Sequence, residues 1–385
     1  MISPFLPGAD AASAAAPGDY MAPLRRLRNL RLPAAKSRKY VAGYDATKPL
    51  FNLPSTFQIR MGGGRFDFYY TGTFTAQGLT IGYLRIPDFG FEFTSDLEKE
   101  LAYMQANTDG LIVDIMSNPG GDGCTAESAA AHLIPTQFRS IGLEIRATRF
   151  WVLGFAQALQ DAQDFGASDT EIQQLQDLLQ QVENAYATPS GRTPPLPVCN
   201  STLDISPAMD TKGNMIAYTK PIMVLTDETT ASAAEWFAAT MQDNQRALFF
   251  GARTMGAGGN VNDYPVTTYS FATATVTESL MSRPSKVITS DFPSANYVEN
   301  IGVRPDVQQQ YMTVDNLTNK GATFVQAFSD AMVQYINSKK QCPVEQVSRP
   351  VLAAFITIRV LQQNEMGSPD PPDPTAMSAS CFQLF

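Results

Sequence analysis

The feature that most constrains the fold is a nearly continuous apolar run at residues 111–116, LIVDIM, which a single carboxylate interrupts. Such a run is typical of a strand that is buried on both faces, as in a sheet covered by helices. Residues 79–86 predict an earlier strand. Between the two strands, Ser95 and Glu98 form a capping box that opens an amphipathic helix. These segments predict a β-α-β unit.

A second unit repeats this pattern further along the chain. Residues 222–226 predict a strand, residues 227–230 a turn, residues 231–242 a helix and residues 247–250 another strand. Strands that alternate with helices predict an α/β fold with a mainly parallel sheet. Antiparallel strands are expected at 265–288, and a closing helix at 324–336.

The chain divides into three predicted regions. Residues 1–76 are punctuated by Pro, Gly and Arg, which indicates an irregular N-terminal arm or the remnant of a longer N-terminal region. Residues 77–340 form the predicted core domain, with a helical insertion at about 153–198. The end of the chain, 341–385, is rich in proline from residue 367 onward, and we expect this tail to be partly disordered.

Composition excludes several classes of partner. The 385 residues carry 37 acidic and 28 basic side chains, a net charge of −9, which argues against nucleic acid as the main partner. The basic cluster within 25–39 is interpreted as a solvated surface segment. No apolar run approaches 18 residues, so no membrane span is predicted. The N-terminus lacks a basic start and does not fit a signal peptide.

Histidine and cysteine usage limits the possible chemistry. His132 is the single histidine, which excludes a metalloprotease helix with two histidine ligands. The four cysteines are too scattered for a thiolate zinc site or a CxxC redox pair, so the redox compartment is left open. No metal or organic cofactor is predicted.

The first candidate site is the loop at 118–123, which follows a predicted parallel strand. In α/β sheets the carboxyl ends of parallel strands are where ligands bind. Gly120 and Gly121 lead into a helix, where free backbone N–H groups can bind an oxyanion or a phosphate. A tight turn without a ligand explains the glycines equally well. A dinucleotide site is disfavoured because GGxG is not GxGxxG.

The second candidate site is Ser232, at the start of a helix after a strand and a short turn. A serine at such a junction exposes its hydroxyl, and the first amides of the helix can stabilise negative charge beside it. This arrangement suits acyl transfer. Taken alone, the position is more often that of an ordinary helix N-cap.

Four motifs give these loops a common interpretation. They are GYLRIP from residue 82, GLIVDIMSNPGG from residue 110, TASAAE from residue 230 and QDNQRA from residue 242. In order and spacing they resemble the tail-specific, or C-terminal-processing, serine proteases over about residues 78–338. The resemblance implies an αβ sandwich of the crotonase and Clp-protease kind. It also implies that Ser232 is the nucleophile, and that Gly120 or Gly121 and Ala233 form the oxyanion hole.

One departure from the family pattern points to a branch. Most members place a lysine 25 residues after the serine, and this chain has Ala257 there. The segments TMGAGG from 254 and NYVENIGVRPD from 296 resemble the branch typified by the chlamydial protease-like activity factor, which uses serine, histidine and glutamate. The glutamate of that branch matches Glu299, which would orient the histidine. His132 lies about 16 Å along the helix after the Gly-Gly loop, which makes it a poor candidate for the base.

The source of the base leaves several alternatives open. The chain is either part of a longer protease whose histidine lies upstream, or a pseudoprotease that binds peptides without cleaving them. Lys212, Lys220 and Lys286 are other basic groups, although their spacing supports none of them. A crotonase-like acyl-CoA enzyme rests on fold analogy alone. The resemblance implies a peptide or unfolded protein substrate, and secretion if an upstream segment carries a signal peptide. The oligomeric state is left open, with a homo-oligomer among the options.

Overall fold

The computed structural model describes residues 19–31, 46–64, 67–90, 94–267, 272–289, 292 and 294–341. These residues form eight helices: α1 Ala22–Arg28, α2 Thr94–Asn107, α3 Gly123–Ala131, α4 Arg149–Asp164, α5 Asp169–Tyr186, α6 Ala233–Asp243, α7 Val314–Thr318 and α8 Ala322–Gln341. The same residues form 15 strands: β1 Asn29–Arg31, β2 Gln58–Met61, β3 Tyr70–Ala76, β4 Leu79–Arg85, β5 Gly110–Asp114, β6 Gly120–Asp122, β7 Phe138–Arg139, β8 Gly142–Ile145, β9 Asp204–Ile205, β10 Ile222–Thr226, β11 Ala247–Gly251, β12 Gly259–Pro265, β13 Thr273–Val287, β14 Ala295–Tyr297 and β15 Val307–Gln308.

The chain divides into two units. The first runs from Met1 to Val333 and contains both candidate loops, and the second runs from Gln334 to Phe385. Of the second unit the structure describes the last turns of α8. The predicted tail beyond residue 341 lies outside the described residues.

A seven-stranded sheet is the centre of the first unit. Its order is β15-β11-β10-β5-β4-β3-β2, and the five strands from β15 to β4 are parallel while β3 and β2 continue antiparallel. β5 and β10 are neighbours and are buried along their whole lengths, because helices cover both faces there. The α/β class and the parallel centre agree with the sequence prediction.

The predicted antiparallel region forms a second sheet. β12, β13 and β14 pair in that order, and β8 also pairs with β13. The predicted helical insertion is present as α4 and α5, an antiparallel pair whose apolar sides are buried around Trp151, Phe155 and Leu175.

A disulfide between Cys124 and Cys199 connects the start of α3 with the segment that follows this insertion. The two Cα atoms are 5.2 Å apart, and 75 residues separate them in sequence. The spacing of the cysteines alone did not reveal this pairing.

A buried ion pair fixes the carboxyl ends of β4 and β5. Arg85 and Asp114 are both fully buried, and Arg85 Nη1 lies 3.1 Å from Asp114 Oδ2. The same guanidinium nitrogen donates to the carbonyl oxygen of Met116 at 2.9 Å. Asp114 also accepts a hydrogen bond from the hydroxyl of Tyr83. Because Met116 begins the loop after β5, this cluster sets the direction of the first candidate loop.

The prediction of an irregular arm over residues 1–76 needs correction. β2 and β3 extend the main sheet, and α1 and β1 pack against its loops. The sequence of β3, YTGTFTA, alternates threonine and glycine with two aromatic residues, and four of its seven residues are not fully buried. Such a strand gives little apolar signal and is stabilised by pairing with its neighbours.

Candidate active site

The turn after β10 is held in place by Asp227. Its carboxylate accepts hydrogen bonds from Thr229 N at 3.0 Å and from the Thr230 hydroxyl at 3.0 Å, so it closes the turn on itself. The same carboxylate accepts Ser117 N at 2.9 Å and the Ser117 hydroxyl at 2.9 Å. Because Ser117 lies in the loop after β5, Asp227 joins the two candidate loops.

Ser232 immediately precedes α6 in a strained conformation. Its φ is 59° and its ψ is −117°, a backbone geometry that a residue with a side chain seldom adopts. The residue is fully buried, and no described residue hydrogen-bonds its Oγ. A strained serine with an unsatisfied hydroxyl at a strand-to-helix turn is the geometry of a nucleophile elbow. An ordinary N-cap would use this oxygen to bind the helix amides.

The glycine loop is built around the Asn118 side chain. Asn118 Nδ2 donates to the carbonyl oxygen of Ile86 at 3.0 Å, and Asn118 Oδ1 accepts from Gly120 N at 2.8 Å. The Asn118 carbonyl oxygen accepts from Ala231 N at 2.9 Å, which brings the loop against the residue before Ser232. Asn118 therefore sets the position of Gly120 relative to the start of α6.

Gly120, Ser232 and Ala233 meet at one point. Ser232 Cβ and Ala233 N both lie next to Gly120: a Cβ atom added to this glycine would be 2.8 Å from each of them. The φ of Gly120 is 95°, and that of Gly121 is 148°. Only glycine fits at these positions, because a side chain would be both strained and in collision with the neighbouring backbone.

The amides of this region are not equally available to an oxyanion. The N–H of Gly120 already donates to Asn118. Gly121 lies opposite Leu30 in the β1–β6 pair, and Ala233 N belongs to the first turn of α6, where N–H groups lack partners within the helix. The structure thus brings the predicted residues together but does not offer the Gly120 N–H as a free donor.

Glu299 lies against the segment that follows Thr254. A Cβ added to Gly259 would be 3.5 Å from Glu299 Oε2, and a backbone hydrogen bond from Gly258 reaches the carboxylate. Burial raises the pKa of Glu299 above its ordinary value, and the Gly258 hydrogen bond partly offsets this rise. Among the hydrogen bonds of the described residues, none joins Glu299 directly to Ser232.

His132 is held at the C-terminal end of α3, as expected for a packed histidine. Its Nδ1 lies 2.8 Å from the Ser128 carbonyl oxygen, and its Nε2 lies 3.4 Å from Glu98 Oε1. The ring is 6% exposed. Lys220 precedes β10 and donates to the carbonyl oxygen of Thr108, at the opposite end of the strand from Ser232. Neither group is placed to remove a proton from Ser232.

Glu235 is a buried residue of the site for which sequence reasoning predicted no role. Its carboxylate binds the backbone of Ser232 and the segment 254–257. Burial raises its pKa to about 7, although four hydrogen bonds oppose the rise. The spacing Ser232-x-x-Glu235 is that of a capping box, which is the signal that could have revealed it.

β1 covers the glycine loop. It pairs antiparallel with β6, with Leu30 opposite Gly121 and Arg31 opposite Gly120. The Leu30 carbonyl oxygen is the atom nearest to the position that a Cβ on Gly120 would take, closer than Ala233 N. Leu24, Leu27 and Leu30 are fully buried. A carbonyl group of an extended peptide therefore already occupies the region beside Ser232 and the first amide of α6.

Two further properties of the described residues bear on function. No helix in the described ranges is both long and apolar enough to cross a bilayer. Across those same ranges, no group of three or more His, Cys, Asp and Glu side chains is arranged to hold a metal ion.

Comparison with known proteins shows to which family this chain belongs. The model of peptidase family S41 matches residues 80–309, which is more than half of the chain. The chain belongs to peptidase family S41. The predicted resemblance to serine proteases of the C-terminal-processing kind is thereby confirmed, together with the predicted fold class.

Several relatives of this S41 chain are chlamydial or from plants. A protein of Chlamydia trachomatis is 24% identical over 306 residues, which is 71% of this chain and 49% of the relative. Carboxyl-terminal-processing peptidase 3 of the Arabidopsis thaliana chloroplast is 33% identical over 98 residues, 26% of this chain and 17% of the relative. The chain thus spans about half or less of the length of these relatives.

Solved structures show the same fold. The crystal structure of mature CPAF has a TM-score of 0.61 and 24% identity, and the match covers 78% of this S41 chain and 60% of that chain. A mutant of CPAF gives a TM-score of 0.63 at 22% identity over 81% of this chain and 63% of that one.

Proposed function

We propose that this S41 chain is the catalytic domain of a serine endopeptidase in which Ser232 is the nucleophile. The observation that carries the proposal is the strained, buried Ser232, whose unpartnered hydroxyl lies beside the glycine loop and the first amide of α6. Strain at a single residue is costly and persists where the surrounding structure imposes it, which is common at active sites.

The reaction follows from the positions of these groups. Ser232 Oγ attacks the peptide carbonyl carbon while its proton passes to a histidine, which then protonates the departing amine. The N–H groups of Ala233 and Gly121 stabilise the oxyanion of the tetrahedral intermediate. Water hydrolyses the resulting acyl-enzyme by the same route in reverse order. Glu299 orients the histidine, which a segment outside this chain supplies.

The pairing of β1 with β6 supports an extended peptide or unfolded protein as substrate. Strand addition at an open edge lets a protein bind main chain of any sequence, with specificity from the side chains that alternate along it. In this proposal the substrate takes the place of β1, and its scissile carbonyl lies where the Leu30 carbonyl oxygen lies in the structure.

A fluorophosphonate probe tests the assignment of the nucleophile. We expect covalent modification at Ser232, identified by peptide mass spectrometry, and none in Ser232→Ala. Ser168→Ala is the matched control, since Ser168 begins α5 with the same S-x-x-E spacing but bonds its Oγ to Glu171. Modification that persists in Ser232→Ala, or no modification of the native protein even with imidazole added as a base, would refute the proposal.

The second candidate function is a peptide-binding domain without catalysis on the same fold. It is favoured by one observation: His132, the only histidine of the chain, is held by Ser128 and Glu98. This alternative predicts that extended peptides bind equally well to the native protein and to Ser232→Ala, without probe labelling or cleavage of either.

A further inference from the structure

The inference concerns Glu235, the third residue of α6, which is fully buried. Its Oε2 accepts hydrogen bonds from Ser232 N at 3.1 Å and Ala257 N at 2.8 Å. Its Oε1 accepts from Gly256 N at 2.7 Å and from the Thr254 hydroxyl at 2.5 Å. One carboxylate therefore binds the nucleophile's own backbone and three groups of a segment about 20 residues further along the chain.

The capping box of α5 shows how differently the same motif is used elsewhere in the chain. There, Glu171 is half-buried and its carboxylate accepts from both the backbone N and the Oγ of Ser168. In α6, Glu235 binds the backbone N of Ser232 and leaves Oγ unpartnered. The other three hydrogen bonds that the Glu235 carboxylate accepts come from Thr254, Gly256 and Ala257. Glu235 thus fixes the backbone of the nucleophile without occupying its hydroxyl.

The segment bound by Glu235 leads directly to Glu299. Gly256 O accepts from Asn300 N at 2.7 Å, and a Cβ added to Gly259 would lie 3.5 Å from Glu299 Oε2. Position 257, which is a lysine in most members of the resembled family, here contributes its backbone N–H to Glu235. The four bonds of Glu235, together with the bond from Met255 N to the Thr230 carbonyl oxygen at 2.9 Å, therefore link the Ser232 turn to the loop that carries Glu299.

We infer that Glu235 is a positioning residue that holds Ser232 and the Glu299 loop in one fixed geometry. The expected effect on catalysis rests on the proposed function. The expected effect on structure rests on the hydrogen bonds of the described residues. Three of the four groups facing this side chain are backbone N–H groups, which can only donate, so acceptor oxygens are needed on both sides. A glutamine places an NH₂ group where one oxygen stands, so at least one of those N–H groups faces another donor.

The test compares Glu235→Gln with two matched variants. Glu171→Gln changes the same position of the capping box of α5, where the glutamate is half-buried. Glu127→Gln changes another buried glutamate, whose pKa burial also raises and which bonds to Ser140 and Asn200. Hydrogen exchange by mass spectrometry reports the peptides covering 228–237 and 252–262. Inactivation by a fluorophosphonate gives separate values of the maximal rate and of probe affinity.

We expect Glu235→Gln to speed exchange in both peptides and to leave the rest of the sheet unchanged. We also expect it to lower the maximal inactivation rate roughly 10- to 100-fold with little change in probe affinity, because a small misplacement of the nucleophile has such an effect. Glu171→Gln and Glu127→Gln should do neither. Thr254→Val should reproduce part of the effect, and Thr254→Ser, which keeps the hydroxyl, should restore native behaviour.

Two results would overturn the inference. One is native exchange at 252–262 in Glu235→Gln or, if that variant does not fold, in Thr254→Val. The other is an equal loss of inactivation rate in Glu127→Gln, which would indicate general destabilisation. A native protein that the probe does not label even with imidazole added refutes the proposed function instead, and exchange still decides whether Glu235 links the two segments.

Discussion

Leu30 and Gly121 are opposite each other in an antiparallel strand pair, and this pairing brings the Leu30 carbonyl oxygen next to Gly120 and the first amide of α6. The N-terminal segment 22–31 thus lies where the proposed substrate binds. Ser232 is fully buried beneath it.

Weakening this segment should open the candidate site. Leu27→Ala and Leu30→Ala remove buried side chains, and each should destabilise the packing of the segment by roughly 2–5 kcal/mol. We expect faster probe labelling of Ser232 in both variants. Val314→Ala is the control, because this side chain is 80% exposed. Labelling at the native rate in both leucine variants would show that the segment does not limit access.

A methyl group at Gly120 should abolish labelling of Ser232. In Gly120→Ala the new Cβ would lie 2.8 Å from both Ser232 Cβ and Ala233 N, at a φ of 95°. Gly78→Ala is the matched control, since Gly78 has a φ of 81° but no atom within 4 Å of the added Cβ. We expect both variants to lose about 1 kcal/mol of stability to backbone strain. Only Gly120→Ala should lose labelling, and equal labelling of the two would contradict the proposed site.

An external base should accelerate labelling of Ser232. His132 is bound to Ser128 and Glu98, so His132→Gln should label at the native rate. Added imidazole should raise the labelling rate roughly tenfold. This is less than the factor of about 100 to 10,000 that a general base contributes when the protein holds it in position. N-methylpyrrole, which has a similar shape but no basic nitrogen, is the control. A His132→Gln variant that no longer labels would make His132 the base and refute our assignment.

Protonation of Glu235 should make stability depend on pH. Its pKa is about 7 in the folded protein, against an ordinary value of 4.5. Between pH 4.5 and pH 7 the folded state therefore keeps a proton that the unfolded state has lost. The free energy of unfolding should therefore fall as pH rises from about 4.5 through about 7, by roughly 3 kcal/mol from this group. The four groups bonded to it are neutral, so the shift comes from burial.

Urea unfolding at pH 5 and pH 8 measures this contribution. Because other buried carboxyl groups also titrate, the quantity to compare is the stability difference between the native protein and Glu235→Gln at each pH. The native protein should lose more stability than the variant on going to pH 8. A difference that does not change with pH would mean that Glu235 ionises normally.

The Cys124–Cys199 disulfide should stabilise the fold. Closing a 75-residue loop in the unfolded chain is worth roughly 2–4 kcal/mol. We expect reductant to lower the melting temperature of the native protein. The double variant Cys124→Ser, Cys199→Ser should melt at the lower temperature with or without reductant. A native protein whose melting temperature is insensitive to reductant would show that the bridge contributes little.

Local pattern predicted the centre of the fold well. β10 is found at the predicted residues, and β5 and β4 lie within one or two residues of their predicted ends. Every residue of β5 and β10 is buried, so these two strands are marked by nearly continuous apolar runs. The junction at Ser232 was also found, because a strand, a short turn and a helix follow one another there in sequence.

What the sequence did not predict depends on residues far apart in the chain. The pairing of β1 with β6, the three bonds from Glu235 to residues 254–257 and the disulfide at Cys124 join residues that are not neighbours in the sequence. No repeating pattern in the sequence predicts these contacts, because each forms only when the sheet folds. The glycine loop shows the same limit: its glycines predicted free amides, but the bond from Gly120 N to Asn118 depends on the folded shape of the loop.

The bonds between Ser117 and Asp227 join two turns that are 110 residues apart in the sequence. During synthesis on the ribosome, the hydroxyl of residue 232 and the glycines of the earlier turn remain unconnected until β10 has been made and has docked beside β5. A partly translated chain therefore has no assembled acyl-transfer centre. In the proposed enzyme, the capacity to cut protein therefore arises only when most of the sheet is complete.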